Sequence, residues 1–304
     1  MSAPRSRAGL LAASLGLWLL FPFGWLLAHL PSAVGLAAGR RLGDLLWWVL
    51  PRRRAVALDN LRRAFGGECT PTRIRRLGRR SFQHVGMNLV EACCYFLRPT
   101  HVMLSRVRIE GREHVQAAAS KGRGVLILTG HFGNWELLAA AHELSGLPLS
   151  IVTRPLEHPL LDGLAARFRR RSGAELIVKR QAVREVLTAL RRQRMVGILL
   201  DQNATRAEGV FVPFFGSPAS TSKGLALLAL RTGAPVVPIF LRREPDGRHC
   251  IQVGAALPPP EDGQVTTYTS TFNRVLEATI RRAPEQWLWM HDRWRTRPRE
   301  AVPS

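Results

Sequence analysis

Hydrophobic and polar positions follow three different rhythms along this chain. The first is unbroken: from Ala8 to Leu30 the sequence AGLLAASLGLWLLFPFGWLLAHL holds no Asp, Glu, Lys or Arg over 23 residues. That is long enough to cross a hydrocarbon core about 30 Å thick. Trp18, Pro22 and Trp25 interrupt it, and Arg5 and Arg7 precede it. A cleaved signal peptide would have a shorter apolar region ending at a small-x-small site. A single span fits, and so does a hairpin bent at Pro22 or Pro31 within one leaflet. Arginines on both sides (Arg5 and Arg7, then Arg40 and Arg41) give no clean orientation. An uncleaved membrane anchor over residues 1–40 is favoured, with a buried hairpin in a soluble body as its alternative.

The second rhythm, over residues 41–103, has a helical period. LGDLLWWVL, RRRAVALDNLRRAF and IRRLGRRSFQHVGMNLVEACCYFL place apolar residues three and four apart. GGECTP (66–71) reads as a loop, with Thr70 capping a helix that has Pro71 in its first position. The third rhythm fills residues 104–304, where short apolar runs alternate with amphipathic stretches. GVLILT, LSIVTR, ELIV, MVGILLD and PVVPIFLRR read as strands. WELLAAAHELSG, LLDGLAARFRRRSG, AVREVLTALRRQ and SKGLALLALRTG read as helices between them. This alternation predicts an α/β fold with a central mixed, mostly parallel sheet and helices on both faces. HCIQVGAAL (249–257) reads as a further strand, an antiparallel edge, and STFNRVLEATIRRAP as a carboxy-terminal helix.

Charge changes the picture more than composition does. Lys and Arg number 44 against 22 Asp and Glu, a net charge of +22, and only Lys121, Lys179 and Lys223 are lysines. A chain this basic suits anionic partners: nucleic acid, an anionic bilayer face, phosphorylated lipid or an acidic carrier protein. Nucleic acid is disfavoured, because there is no zinc-type Cys/His spacing and no aromatic–basic strand, and the arginines are spread over the chain. Cys69, Cys93, Cys94 and Cys250 form no regular framework and read as reduced thiols.

Candidate chemistry gathers where predicted strands end, the place where open α/β sheets bind ligands. TGHFGNWELLA (129–139) follows GVLILT directly. His131 and Glu136 are five apart, about 140° around a continuous helix, and so cannot share a helix face. They converge only if His131 lies in the loop and Glu136 in the first helical turn. Gly130 and Gly133 allow a tight loop, and Asn134 suits the helix cap. An imidazole oriented by a carboxylate is a general base. With no GxSxG and no cysteine before the helix, that base would act on a substrate hydroxyl rather than on an enzyme nucleophile. The loop amides and helix start would favour an anion there. A metal role lacks further His or Cys nearby, and no cofactor is implied.

Two more stretches stand out. In DQNATRAEGVFVPFFGSPAST (201–221), Asp201 and Gln202 end a strand, and Phe211, Phe214 and Phe215 form either core or the lining of an acyl-chain tunnel. In PEQWLWMHDRWRTRP (284–298), three tryptophans among three arginines suit a lipid interface, or packing onto the sheet.

Together, GRGVLILTGHFGNWELLA, GVFVPFFGSPAST, GAPVVPIFLRR and QWLWMHDRWRTRP make the chain resemble the late, lauroyl/myristoyl-type acyltransferases of lipid A biosynthesis, within the lysophospholipid acyltransferase group. RRRAVALDNLRRAF and the hydrophobic amino terminus fit as well; FGGECTP, where the family tends to a proline after the phenylalanine, departs from it. The resemblance implies that His131 deprotonates an acceptor hydroxyl, which attacks the thioester of a fatty acid on acyl carrier protein. It implies that Glu136 orients His131, and that Arg154 and Arg169 meet substrate phosphates. Gly130, Asn134, Asp201 and Gln202 would be substrate-binding, with a structural role for Asp201 and Gln202 left open. It also implies a bacterial inner-membrane protein facing the cytoplasm, with a lipid A precursor as acceptor. Another glycolipid or lysolipid is the alternative acceptor; a relative acting on mannosides would carry Asp at position 136. A non-catalytic lipid-binding scaffold would have no need of His131 and Glu136.

Overall fold

The structure, a computed structural model, describes residue 29 and residues 31–153, 159–178 and 182–298. Most of the apolar segment Ala8–Leu30 therefore lies outside the described residues, as does Arg154. Among the described residues, no helix is long and apolar enough to cross a membrane.

Three helices come first: α1 (Ser32–Val49), α2 (Pro51–Phe65) and α3 (Pro71–Leu97). Helix α1 runs uninterrupted through the expected boundary at residue 40. Thr70 caps α3 as expected, accepting from the Arg73 amide at 3.3 Å, with Pro71 in the first turn. A short helix, α4 (Thr100–Leu104), leads into the sheet.

The sheet elements are β1 (Val107–Glu110), β2 (Val125–Thr129), β3 (Leu149–Thr153), β4 (Glu175–Val178), β5 (Met195–Leu199), β8 (Val236–Arg243) and β9 (His249–Val253). Between β5 and β8 stands a separate hairpin, β6 (Gly209–Phe214) and β7 (Ser217–Ser222). The seven strands lie in the order β1-β9-β8-β2-β5-β3-β4, parallel except where β9 runs against β8. That reversal follows from chain length. Only Glu244–Arg248 joins β8 to β9, too short for a parallel crossover. β9 is not the edge, however, because β1 pairs outside it. β1 is only four residues long, and its alternation VRIE is too brief to stand out from the preceding helical pattern.

All five residues of β2 are buried, as a central parallel strand covered on both faces requires. Leu126 and Leu128 face a core shared with α8 (Ala182–Arg191), α9 (Gly224–Thr232) and α10 (Val265–Arg282). Val125 and Ile127 face a second core with α5 (Arg112–Ala119) and α6 (Trp135–Ala140). The helix predicted over residues 135–146 is shorter than its pattern, with α6 giving way to a 3₁₀ turn over Ala141–Ser145. Helix α7 (Pro159–Arg171) connects β3 to β4.

Most of the aromatics in residues 201–221 and 284–298 settle into the core, while Phe211 stays half-buried beneath Arg206. Phe214, Trp287 and Trp289 are almost fully buried, with Phe215 and Trp294 close behind. Phe214 packs edge-on against Trp287, and Phe215 against Trp289 and Phe65. Arg293, fully buried, lies over the Phe214 ring and donates to the Ser220 carbonyl at 2.7 Å. Arg293 thus clamps the carboxy-terminal segment onto the hairpin, through a cation–π contact with Phe214 and a hydrogen bond to Ser220.

Candidate active site

The loop from Gly130 to Asn134 leaves the carboxyl end of β2 and enters α6. Gly133 has φ +60°, and a side chain there would run into the Leu241 carbonyl, so only glycine fits. Asn134 is the cap, its Oδ1 accepting from the Leu137 amide at 3.0 Å. The carboxy-terminal segment straps the loop down. Gly133 N donates to Gln286 O at 2.9 Å, Leu288 N to His131 O at 3.0 Å, and Phe132 bridges Trp287.

A buried ionic group supports the same loop from behind. Glu91 of α3 pairs with Arg243 (2.8 Å at Nη2) and His249 (3.1 Å) and accepts from Asn134 Nδ2 at 2.7 Å. Asn88 donates to the Gly133 carbonyl at 2.7 Å and accepts from Arg243 at 2.7 Å. Burial alone would raise the Glu91 carboxyl, but the Arg243 charge and the His249 bond hold it well below the carboxylate range. No single stretch of sequence announced this group, in which Glu91 and His249 alone lie 158 positions apart.

His131 does not turn to Glu136. Its Nδ1 lies 2.9 Å from Asp201 Oδ1, and its backbone amide donates to Asp201 Oδ2 at 2.8 Å. Trp287 Nε1 donates to the same Oδ2 at 2.7 Å. Asp201 is 2% exposed. Burial pushes its carboxyl up, yet the imidazole beside it and three hydrogen bonds bring it down to about 2. It is a fixed anion at any pH where an imidazole works as a base. Gln202 Nε2 lies 3.3 Å from His131 Nε2, and Trp135 meets the imidazole edge-on at 5.3 Å between centroids. A carboxylate on Nδ1 selects the tautomer protonated there, which leaves Nε2 as the basic nitrogen.

Glu136 has a different partner. Arg169 of α7 binds it in fork fashion, Nε to Oε2 at 2.9 Å and Nη2 to Oε1 at 2.6 Å. The expectation that Glu136 orients His131 is thereby corrected: five residues of separation bring it to the same cavity, but Arg169 claims both oxygens. The loop amides are also spoken for. Those of His131, Phe132 and Gly133 bond to Asp201, Gly130 and Gln286, so they offer no anion site.

A cavity of about 930 Å³ opens at this end of the sheet, and His131, Trp135, Glu136, Arg169, Gln202 and Lys223 all line it. Its other walls are mostly aliphatic, a combination that suits a long apolar ligand with a polar head. Three expected substrate contacts lie behind it instead. Asn134 has both ends of its amide engaged and is buried. Gly130 is a spacer, where an added methyl would come within 3.0 Å of Asp201 Cγ. Asp201 touches the imidazole rather than the cavity.

Comparison with known proteins fits this arrangement. Residues 4–296 match a family described as bacterial lipid A biosynthesis acyltransferase. The lipid A biosynthesis lauroyltransferase of Escherichia coli (strain K12) is 32% identical over 94% of this chain and 93% of its own. The lipid A biosynthesis palmitoleoyltransferase of the same strain is 30% identical over 90% and 89%. A phosphatidylinositol mannoside acyltransferase of Mycolicibacterium smegmatis is 28% identical over 60% of each chain.

Proposed function

The chain belongs to the bacterial lipid A biosynthesis acyltransferase family and is an acyltransferase acting on lipid A or a related glycolipid; from that premise we propose that His131 is its general base and an acyl-carrier-protein thioester its donor. The observation that carries this reading is the imidazole itself, lining the cavity with Nδ1 committed to a buried carboxylate. Nε2 takes the proton of the acceptor hydroxyl as its oxygen bonds to the thioester carbonyl carbon. The C–S bond then breaks, and the departing thiolate recovers that proton from the imidazolium, which returns His131 to neutrality. Asp201 stabilises the imidazolium in between. Glu136 and Arg169 form one wall, Gln202 sits 3.3 Å from Nε2, and Lys223 lines the same cavity.

The acceptor is a lipid A precursor at the cytoplasmic face of the bacterial inner membrane. Both the acceptor and the acidic carrier protein suit a chain of net charge +22. Leu45, Trp48 and Val49 on α1 are each more than half exposed, beside exposed Arg41, Arg52 and Arg53. That mixture matches a bilayer interface. The test is acyl transfer in membranes carrying the protein, with lipid A precursor or a phosphatidylinositol mannoside as acceptor. Transfer to the precursor should disappear in His131→Ala. Transfer only to the mannoside would keep the mechanism and change the acceptor, while full activity in His131→Ala would remove the base.

A further inference from the structure

Strands β2, β5 and β3 run side by side and parallel, with Ile127, Gly197 and Ile151 in register. Side chains alternate between faces along a strand. Three layers therefore share the face toward α5 and α6: Thr129 with Leu199, then Ile127, Gly197 and Ile151, then Leu149 with Met195. Every one of these residues lines the cavity. From Leu199 down to Met195 the channel follows four residues of strand, about 13 Å at 3.3 Å per residue. It starts beside His131. At its lower end Ala141, His142 and Ser145 of the 3₁₀ turn line it too, and the Ser145 hydroxyl is bonded to the His142 carbonyl at 2.7 Å.

Gly197 is the odd residue in this wall. A glycine inside a central strand weakens it and needs a reason. Backbone conformation supplies none, since Gly197 is absent from the positive-φ glycines. Steric crowding supplies none either: an added Cβ would meet only Ser150 O at 3.8 Å and Leu149 Cδ1 at 3.9 Å, both ordinary contacts. The position is buried from solvent, yet beyond those two atoms nothing comes within 4 Å of the added Cβ. A side chain there would project into the channel midway between the reacting end and Met195.

We propose that Gly197 is a specificity-determining residue, keeping the lower half of this channel open so that the transferred chain reaches Met195. The proposal rests on the acyl-transfer reading. Acceptance of longer chains then depends on the absence of a side chain at 197, and the depth limit on Met195.

Purified full-length protein, given lipid A precursor and dodecanoyl, tetradecanoyl or hexadecanoyl thioesters of acyl carrier protein, provides the test through ratios of kcat/KM. Gly197→Leu should lower hexadecanoyl against dodecanoyl transfer by more than about tenfold, since a pocket discriminates by that order per misfit methylene. Met195→Ala should shift the ratio the other way, and opposite shifts do not arise from general damage to the fold. Unchanged ratios in both variants overturn the assignment. If Gly197→Leu is inactive with every donor, Gly197→Ala decides: a shift toward shorter chains supports the role and an unchanged ratio rejects it. A wild-type protein that transfers no chain at all is a separate result, which removes the acyl-transfer premise.

Discussion

At the scale of single residues, the site turns on which carboxylate meets which cation. His131 and Glu136 stood out as candidate chemistry because an imidazole and a carboxylate after a buried strand are not what packing alone requires. Their pairing was not legible, because Asp201 and Arg169 arrive from 70 and 33 positions away. Glu136 and Arg169 act as one unit, so Glu136→Gln and Arg169→Gln should each lower kcat/KM. The double variant should be no worse than the worse single, which a double-mutant cycle measures. His291 and Asp201 contribute to the acid stability of the fold, alongside buried His84 and Glu91, which are also held below their ordinary values. Burial holds His291 near 4 against an ordinary 6.5, and its Nε2 accepts from the Asn203 amide at 3.1 Å. The unfolded chain binds that proton first, so the stability due to neutral His291 is complete above about 6.5 and lost as pH falls toward 4. Asp201 adds a second loss as pH falls from 3.8 toward 2. Urea midpoints measured across this range should drop below about pH 6.5, where buried His84 adds to the loss, and His291→Gln should reduce that drop without abolishing it.

At the scale of elements, the sequence carried period well and contact poorly. The strands β2, β3, β4, β5 and β8 and helices α3, α7, α8, α9 and α10 follow their apolar patterns. The β6–β7 hairpin escaped because its aromatics read as core or tunnel lining rather than as strands; Asn273 of α10 holds it by donating to the Pro213 carbonyl at 2.9 Å. The packing of α1 on α3 was equally invisible. Gly39 and Gly43 face Gly86 so closely that a methyl on Gly86 would clash with the Gly39 carbonyl and the Gly43 backbone. The cost would fall on backbone atoms, which cannot rotate away as a side chain can. Gly86→Val should therefore destabilise the protein by more than about 2 kcal/mol, an overpacking cost at the upper part of the usual range. Thermal unfolding would show it. An unchanged melting temperature would mean that α1 does not sit on α3 in this way.

At the scale of the whole molecule, three long-range ties converge on one short loop. Helix α3 supports it through Asn88 and Glu91, the carboxy-terminal segment through Gln286 and Trp287, and the segment after β5 through Asp201. The fold class was readable from alternating patterns because each strand and helix declares itself locally. The convergence was not, because it exists only once the sheet is assembled. The proposed base is His131 acting together with Asp201, and a pair of substitutions tests that directly. Acyl transfer to the lipid acceptor would be timed in Asp201→Asn, in His131→Ala and in the double variant. Asp201→Asn should slow the wild-type enzyme by about 10²–10⁴-fold and add almost nothing to the loss already present in His131→Ala. A wild-type rate in Asp201→Asn, or an equal further loss with alanine already at 131, would contradict the pairing.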